Sequence, residues 1–476
     1  MLISVAVVLL QVAIPQLQTT FYPDGDFATD LLLVNELDSQ GYLLKGHYSR
    51  FGFNHPGPIF FYINALFEKL GALFDLSRAN TWILSTLTLN LVFLLLIAWL
   101  LPRLFGQRLS LNALAAALPA LVVLGPDAFN IWMPYRLVLP FAAFYLSLLL
   151  VLKEGARRLP LAVLLACLLI HGYVTMPLFT LPFLLLTTLL SHRHHSLLQR
   201  ANLSWIGVSL SIGFVFFLPL LIDLLISEQS NLDRIISASQ NMNGENSSWV
   251  EAASFTAAYW KSASMVLIPG TLLVIVIGHG RLEGQLSLIR NAVMLALLFT
   301  LVFALYYSTA PQPLYPFMGL YYLGVPMGLA GLLVYAGLYG LHRKWAADTL
   351  GLGAIVGVLA WLATGLSLAP LDKREHVQRL GDALLRHPGT ALALGYPARN
   401  DELWVTVAGV LLYLKDHGMD ACVARPELDF MYTSSAICTT RAVDAVLDYA
   451  VNCADDCLYT FDKFAVRRPA LINGPL

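Results

Sequence analysis

Apolar runs fill most of this chain, at residues 1–16, 81–101, 109–124, 137–152, 159–171, 174–190, 203–225, 263–280, 290–308, 317–340 and 347–369. A helix that crosses a bilayer needs about 17–25 mostly apolar residues, so these runs predict about eleven spans. The opening run, MLISVAVVLLQVAIPQ, has no basic start and no A-x-A-like cleavage site, and reads as a first span rather than a cleaved signal. The runs 159–171 and 174–190 are short and meet at His171-Gly172-Tyr173. A break of that kind is tolerated in a membrane where it lines a cavity.

Two regions depart from this pattern. In residues 17–80, the apolar positions Phe27, Leu31, Val34 and Leu37 recur at helical spacing and predict a short helix lying along the membrane surface. Asp26 falls near its start, with Asp30 one turn on along the same face. Pro56 and Pro58 hold the chain extended, and a second helix begins at Pro58, a favoured first position. Glu68 and Lys69 lie inside that helix, and each charge at mid-bilayer costs about 2.5–3.5 kcal/mol, so Pro58–Phe74 is read as staying outside. The loops PRLFGQR, KEGARR, SHRHHSLLQR, HGRLEGQLSLIR and LHRK then fall inside, and they are the basic ones. The N-terminus is therefore expected inside and the C-terminus outside.

The second region is 371–476, where charges return. TALALGY predicts a strand, ELWVTVAGVLLYLKDHG an amphipathic helix and DACVAR a strand. The expected organisation is a transmembrane domain over 1–370, carrying the outer loop 17–80, and a small extracytoplasmic α/β domain over 371–476.

Composition agrees. Of 476 residues, 58% are hydrophobic and 12% charged, against about 25% charged in soluble domains. The net charge of -1 gives no reason to expect a nucleic-acid partner. Cys422, Cys438, Cys453 and Cys457 all lie in the outer domain, which predicts two disulfides in one of three pairings. Zinc is a weaker reading, and no H-E-x-x-H motif or Gly-rich phosphate loop is present. No cofactor is implied with certainty; a divalent metal stays open.

Ionisable groups concentrate between Tyr22 and Tyr62, in YPDGDFATDLLLVNELDSQGYLLKGHYSRFGFNHPGPIFFY. An acidic first outer loop flanked by two surface helices, on a polytopic chain with an outer C-terminal domain, resembles the GT-C glycosyltransferases. Gly25-Asp26-Phe27-Ala28 and Tyr48–Pro58 are similar to a set of bacterial envelope proteins that carry D-x-A and then YSRFGW-x-HPGP, with Phe53 here replacing the Trp. The HGY break and LPLLIDLLISEQSNL at 218–232 also look similar. The fold class is thus mostly α, with a GT-C-like first outer loop and a small α/β domain.

The resemblance implies transfer of a sugar from a polyprenyl-phosphate donor to a hydroxyl of a glycan, lipid or protein acceptor, outside the cytoplasmic membrane and with inversion. Asp26 is the implied general base, with Asp30 the second candidate. Arg50 would clamp the lipid phosphate, with Arg136 a further cation. Tyr48, His55 and His171 would line the substrate. Each residue also has a plainer reading. The aspartates cap a helix, Arg50 snorkels, the histidines are structural and the aromatics form an interfacial belt. A transporter or flippase, or a non-catalytic envelope scaffold, are the competing functions. Against transport, the spans carry almost no interior charge.

Overall fold

The computed structural model describes residues 2–195, 200–241, 246–277, 282–341, 344–365, 374–386, 391–397, 402–438, 443–450 and 457–468. The chain forms two compact units. One comprises Met1–Ile14, Ile83–Leu218 and Asn241–Leu368; the other comprises Pro15–Trp82, Pro219–Gln240 and Ala369–Leu476.

The first unit is helical. Among the described residues, seven helical stretches are long and apolar enough to cross a membrane: Arg78–Leu104, Leu111–Phe129, Met133–Gly172, Asn202–Ile226, Trp249–Val276, Leu286–Ser308 and Pro316–Gly340. Among the described residues every expected span falls largely on helix. The expected spans 137–152 and 159–171 are merged in Met133–Gly172. The other three correspond to helices Leu2–Leu17, Met176–His195 and Lys344–Gly365. The stretch 226–262, between the apolar runs 203–225 and 263–280, is largely helical too. It holds helix Asn231–Asn241 and the first turns of helix Trp249–Ile277. Ser248 and Glu251 start the latter with a reciprocal cap: the Ser248 amide donates to Glu251 Oε2 at 2.7 Å and the Glu251 amide to Ser248 Oγ at 3.2 Å.

Burial separates core from periphery. The apolar window of Met133–Gly172 is 89% buried, whereas that of Asn202–Ile226 is 11% buried and leaves Leu210, Phe214 and Val215 exposed, as suits a helix facing lipid. Small residues let the core helices touch. A Cβ on Gly324 would lie 2.5 Å from the Val138 carbonyl oxygen, and one on Gly328 2.8 Å from the Tyr145 ring.

In the second unit, strands β1 (Tyr48–Ser49) and β2 (Phe53–Asn54) form an antiparallel hairpin. A five-stranded sheet is built from β3 (Ala391–Gly395), β4 (Asp420–Val423), β5 (Ala445–Tyr449), β6 (Cys457–Phe461) and β7 (Phe464–Arg467), in the order β4-β3-β5-β7-β6. β3 runs parallel to β4 and β5, and β7 runs antiparallel to β5 and β6. Helix Trp404–Asp416 is buried continuously from Thr406 to Leu414 rather than amphipathic. It packs against β4 and also against helix Gly25–Gln40. Helix Gly25–Gln40 correspondingly buries Leu32 and Leu33 as well as the expected Leu31, Val34 and Leu37. Cys422 and Cys438 form a disulfide, and Cys457 is also disulfide-bonded.

Candidate active site

The site grows from the start of helix Gly25–Gln40. Asp24 is the extended residue before it, and Gly25 enters at a φ of 50°. Helix Trp404–Asp416 comes so close that a Cβ on Gly25 would lie 3.2 Å from Val405 Cγ1. A Cβ on Gly409 would lie 2.6 Å from the Pro23 carbonyl oxygen, a backbone atom that cannot yield easily.

The β1–β2 hairpin supplies the facing groups. Its turn, Arg50-Phe51-Gly52, closes with Gly52 at a φ of 83°. The pairing continues past the strands: the His55 amide donates to the His47 carbonyl at 2.7 Å and the Gly46 amide to the His55 carbonyl at 2.9 Å. His47 and His55 therefore stand side by side, their rings stacked with centroids 5.9 Å apart.

Each of the three aspartates has a different setting. Asp24 is buried, its Oδ2 3.2 Å from Arg374 Nη1 and 3.7 Å from His376 Nε2. Asp30 is buried and paired with His47 Nδ1. Asp26 is half-buried and accepts the Tyr48 hydroxyl. Burial works against a charged His47, but the Asp30 charge and hydrogen bond, with Asp26 behind them, hold its pKa above the usual histidine value. Burial and then the His47 charge push His55 well below it. Burial and then the Asp26 charge push the Tyr48 phenol up, so Tyr48 acts as a neutral donor. Its ring sits in an aromatic wall with Trp404 and Phe430, at centroid distances of 5.8 and 6.4 Å.

Buried amides hold the hairpin in place. The Asn54 amide donates to Asn231 Oδ1 and Asn231 Nδ2 donates back to the Asn54 carbonyl, both at 2.7 Å. Asn231 is in turn fixed by its own amide on Asp223 Oδ2 at 2.6 Å. Arg234 grips Asp429 through two hydrogen bonds of 3.1 and 2.9 Å. Sequence reasoning did not select His47, Asn54 or Asn231 as site residues. His47 carried a signal, being one of two histidines in a short polar stretch; the paired asparagines carried none.

Of the expected site residues, the second unit brings together Asp26, Asp30, Tyr48 and His55. Arg50 is exposed at the hairpin tip, with its guanidinium 5.0 Å from the Phe51 ring centroid. Arg136 and His171 belong to the first unit, and both are buried. Arg136 Nη2 donates to Ser85 Oγ at 3.3 Å, and His171 Nε2 lies 2.8 Å from the Phe216 carbonyl oxygen. Among the described residues, no group of three or more His, Cys, Asp or Glu side chains is placed to hold a metal ion.

No protein-family model matches the sequence. No curated protein matches it either. Two solved structures share its fold. ArnT from Cupriavidus metallidurans bound to undecaprenyl phosphate matches with a TM-score of 0.60 at 14% identity, over 100% of this chain and 99% of that one. The apo structure of the same ArnT matches with a TM-score of 0.58 at 14% identity, over 98% and 97%. At this identity the likeness is one of fold, and function has to be argued from the site.

Proposed function

We propose that this membrane protein of GT-C fold is an inverting glycosyltransferase that moves a sugar from a polyprenyl-phosphate donor to an acceptor hydroxyl, with Asp26 as general base. The observation that carries the reading is the division of labour among the aspartates. Asp24 and Asp30 are buried in ion pairs, while Asp26 is half-exposed and oriented by a neutral phenol. The ArnT likeness, and the undecaprenyl phosphate bound in that structure, support the donor class.

In the proposed reaction the acceptor oxygen bonds to the anomeric carbon on the face opposite the phosphate. The bond from that carbon to the phosphate oxygen breaks, and its electron pair leaves with the phosphate. The acceptor proton passes to Asp26. Tyr48 fixes the Asp26 carboxylate, and the aromatic wall of Tyr48, Trp404 and Phe430 gives the sugar a stacking face. Arg50, on the exposed turn, takes the lipid phosphate as it gains charge. The second unit, with the domain from 371 onward, lies on the extracytoplasmic side of the cytoplasmic membrane. The acceptor is a glycan, lipid or protein of the envelope.

The test is transfer by the purified full chain in nanodiscs, offered a panel of polyprenyl-phosphate sugars. Asp26→Asn is expected to lower turnover by about 10²–10⁴-fold while donor binding survives. Arg50→Ala is expected to weaken both binding and turnover. Near wild-type transfer by Asp26→Asn would remove the base from this position, and a loss confined to Asp24→Asn would move it there.

A further inference from the structure

A groove in the first unit runs between helices Met176–His195 and Leu286–Ser308, with a volume of about 670 Å³. That lies within the ~300–1,000 Å³ of sites that enclose a small ligand. Its body is apolar, lined by Leu186 and Leu190 on one helix and Met294, Leu298 and Leu301 on the other. One end is different. Arg193 near the end of the first helix and Arg290 near the start of the second both line it, together with Asn291. Both guanidiniums are exposed, and no described lining residue is a carboxylate.

The dimensions fit one class of ligand. From Arg290 to Leu301 helix Leu286–Ser308 rises about 16 Å at ~1.5 Å per residue. That is close to half of a ~30 Å hydrocarbon core, or one leaflet. The groove is therefore cationic at one end and apolar over the depth of a single leaflet. Basic pockets between spanning helices on the cytoplasmic side suit anionic lipid headgroups, and the segments that hold Arg193 and Arg290 are the basic ones expected there. We infer that this groove is a binding site for an anionic glycerophospholipid, its phosphate between Arg193 and Arg290 and an acyl chain along Leu186, Leu190 and Leu298. The site is separate from the proposed transfer reaction and does not depend on it.

Native mass spectrometry of the delipidated full chain tests this, titrated with phosphatidylglycerol, with phosphatidylcholine of the same acyl chains, and with a polyprenyl monophosphate. Phosphatidylglycerol is expected to bind more tightly than phosphatidylcholine, by roughly fivefold for each arginine. The Arg193→Gln/Arg290→Gln double variant should reduce the two to near parity. Leu298→Trp, which fills the groove and leaves the charge unchanged, should weaken both, and it carries the test if the double variant does not fold. Equal binding of the two phospholipids by the wild type would overturn the assignment. So would a preference that survives the double variant, or undiminished binding of both lipids by Leu298→Trp. Displacement of phosphatidylglycerol by equimolar polyprenyl phosphate, lost in the double variant, would make the groove a carrier site instead.

Discussion

At the scale of single residues, the site's electrostatics rest on two neighbouring histidines pushed in opposite directions, His47 up and His55 down. Below about pH 6.5 the unfolded chain protonates His55 and the folded chain does not, so stability falls as pH falls. Above about 6.5 the folded chain keeps the proton on His47 and the unfolded chain loses it, so stability falls as pH rises, until His47 itself titrates. The pair therefore contributes a stability maximum near pH 6.5. Thermal unfolding in detergent across pH 5–8.5, followed by tryptophan fluorescence, should show it, and His55→Gln should flatten the acid limb alone. A wild-type midpoint that climbs steadily to pH 8 would contradict the assignment. Ionisable groups are scarce in the apolar runs, and that singled out residues 22–62 in the sequence. The sequence did not separate Asp24, Asp26 and Asp30. The partners that distinguish them, Arg374 and His376 for Asp24 and Tyr48 and His47 for the others, are reached through tertiary structure and leave no local mark.

At the scale of elements, the constraint nearest the site is the approach of helix Trp404–Asp416 to the start of helix Gly25–Gln40. Gly409 permits it. Gly409→Ala would press a methyl group on the Pro23 carbonyl, and overpacking of this kind costs about 1–3 kcal/mol. The displaced segment carries Asp26, and a misplacement near 1 Å lowers turnover by about 10²-fold. Gly409→Ala should therefore lose turnover well beyond its loss of folded protein. Ala at exposed-turn Gly418, where a Cβ meets nothing within 4 Å, should lose little turnover, though its φ of 78° strains the fold. Equal turnover in the two variants would sever the link between this contact and the site. Periodicity failed for the helix at 404–416, because a polar stripe marks one-sided burial and this helix is covered on two sides. The start of helix Trp249–Ile277 was missed as well: its Ser248-Trp249-Val250-Glu251 cap lies inside what reads by composition as a loop.

At the scale of the whole molecule, the second unit is assembled from three stretches far apart in sequence, 15–82, 219–240 and 369–476. If this unit lies outside the bilayer, as proposed, all three stretches share one side. Single cysteines placed at Lys45, Gln229 and Asp420 should accordingly react with an impermeant thiol reagent together in intact cells, or none of them should. A split result would break the arrangement. There is an arithmetical consequence for the helices in between, since a chain that leaves one side and returns has crossed an even number of times. From 241 to 368 the long apolar helices are three, Trp249–Val276, Leu286–Ser308 and Pro316–Gly340. On that arrangement helix Lys344–Gly365, 22 residues long, makes a fourth crossing. Before 219, helices Val138–Glu154 and Leu159–Gly172 fold back on each other at Gly155. Counting them as two passes, with Arg78–Leu104, Leu111–Phe129 and Asn202–Ile226, gives five. Helix Met176–His195 must supply the sixth. If the three stretches share one side, helices Met176–His195 and Lys344–Gly365 are thus committed to the membrane by an obligation of return.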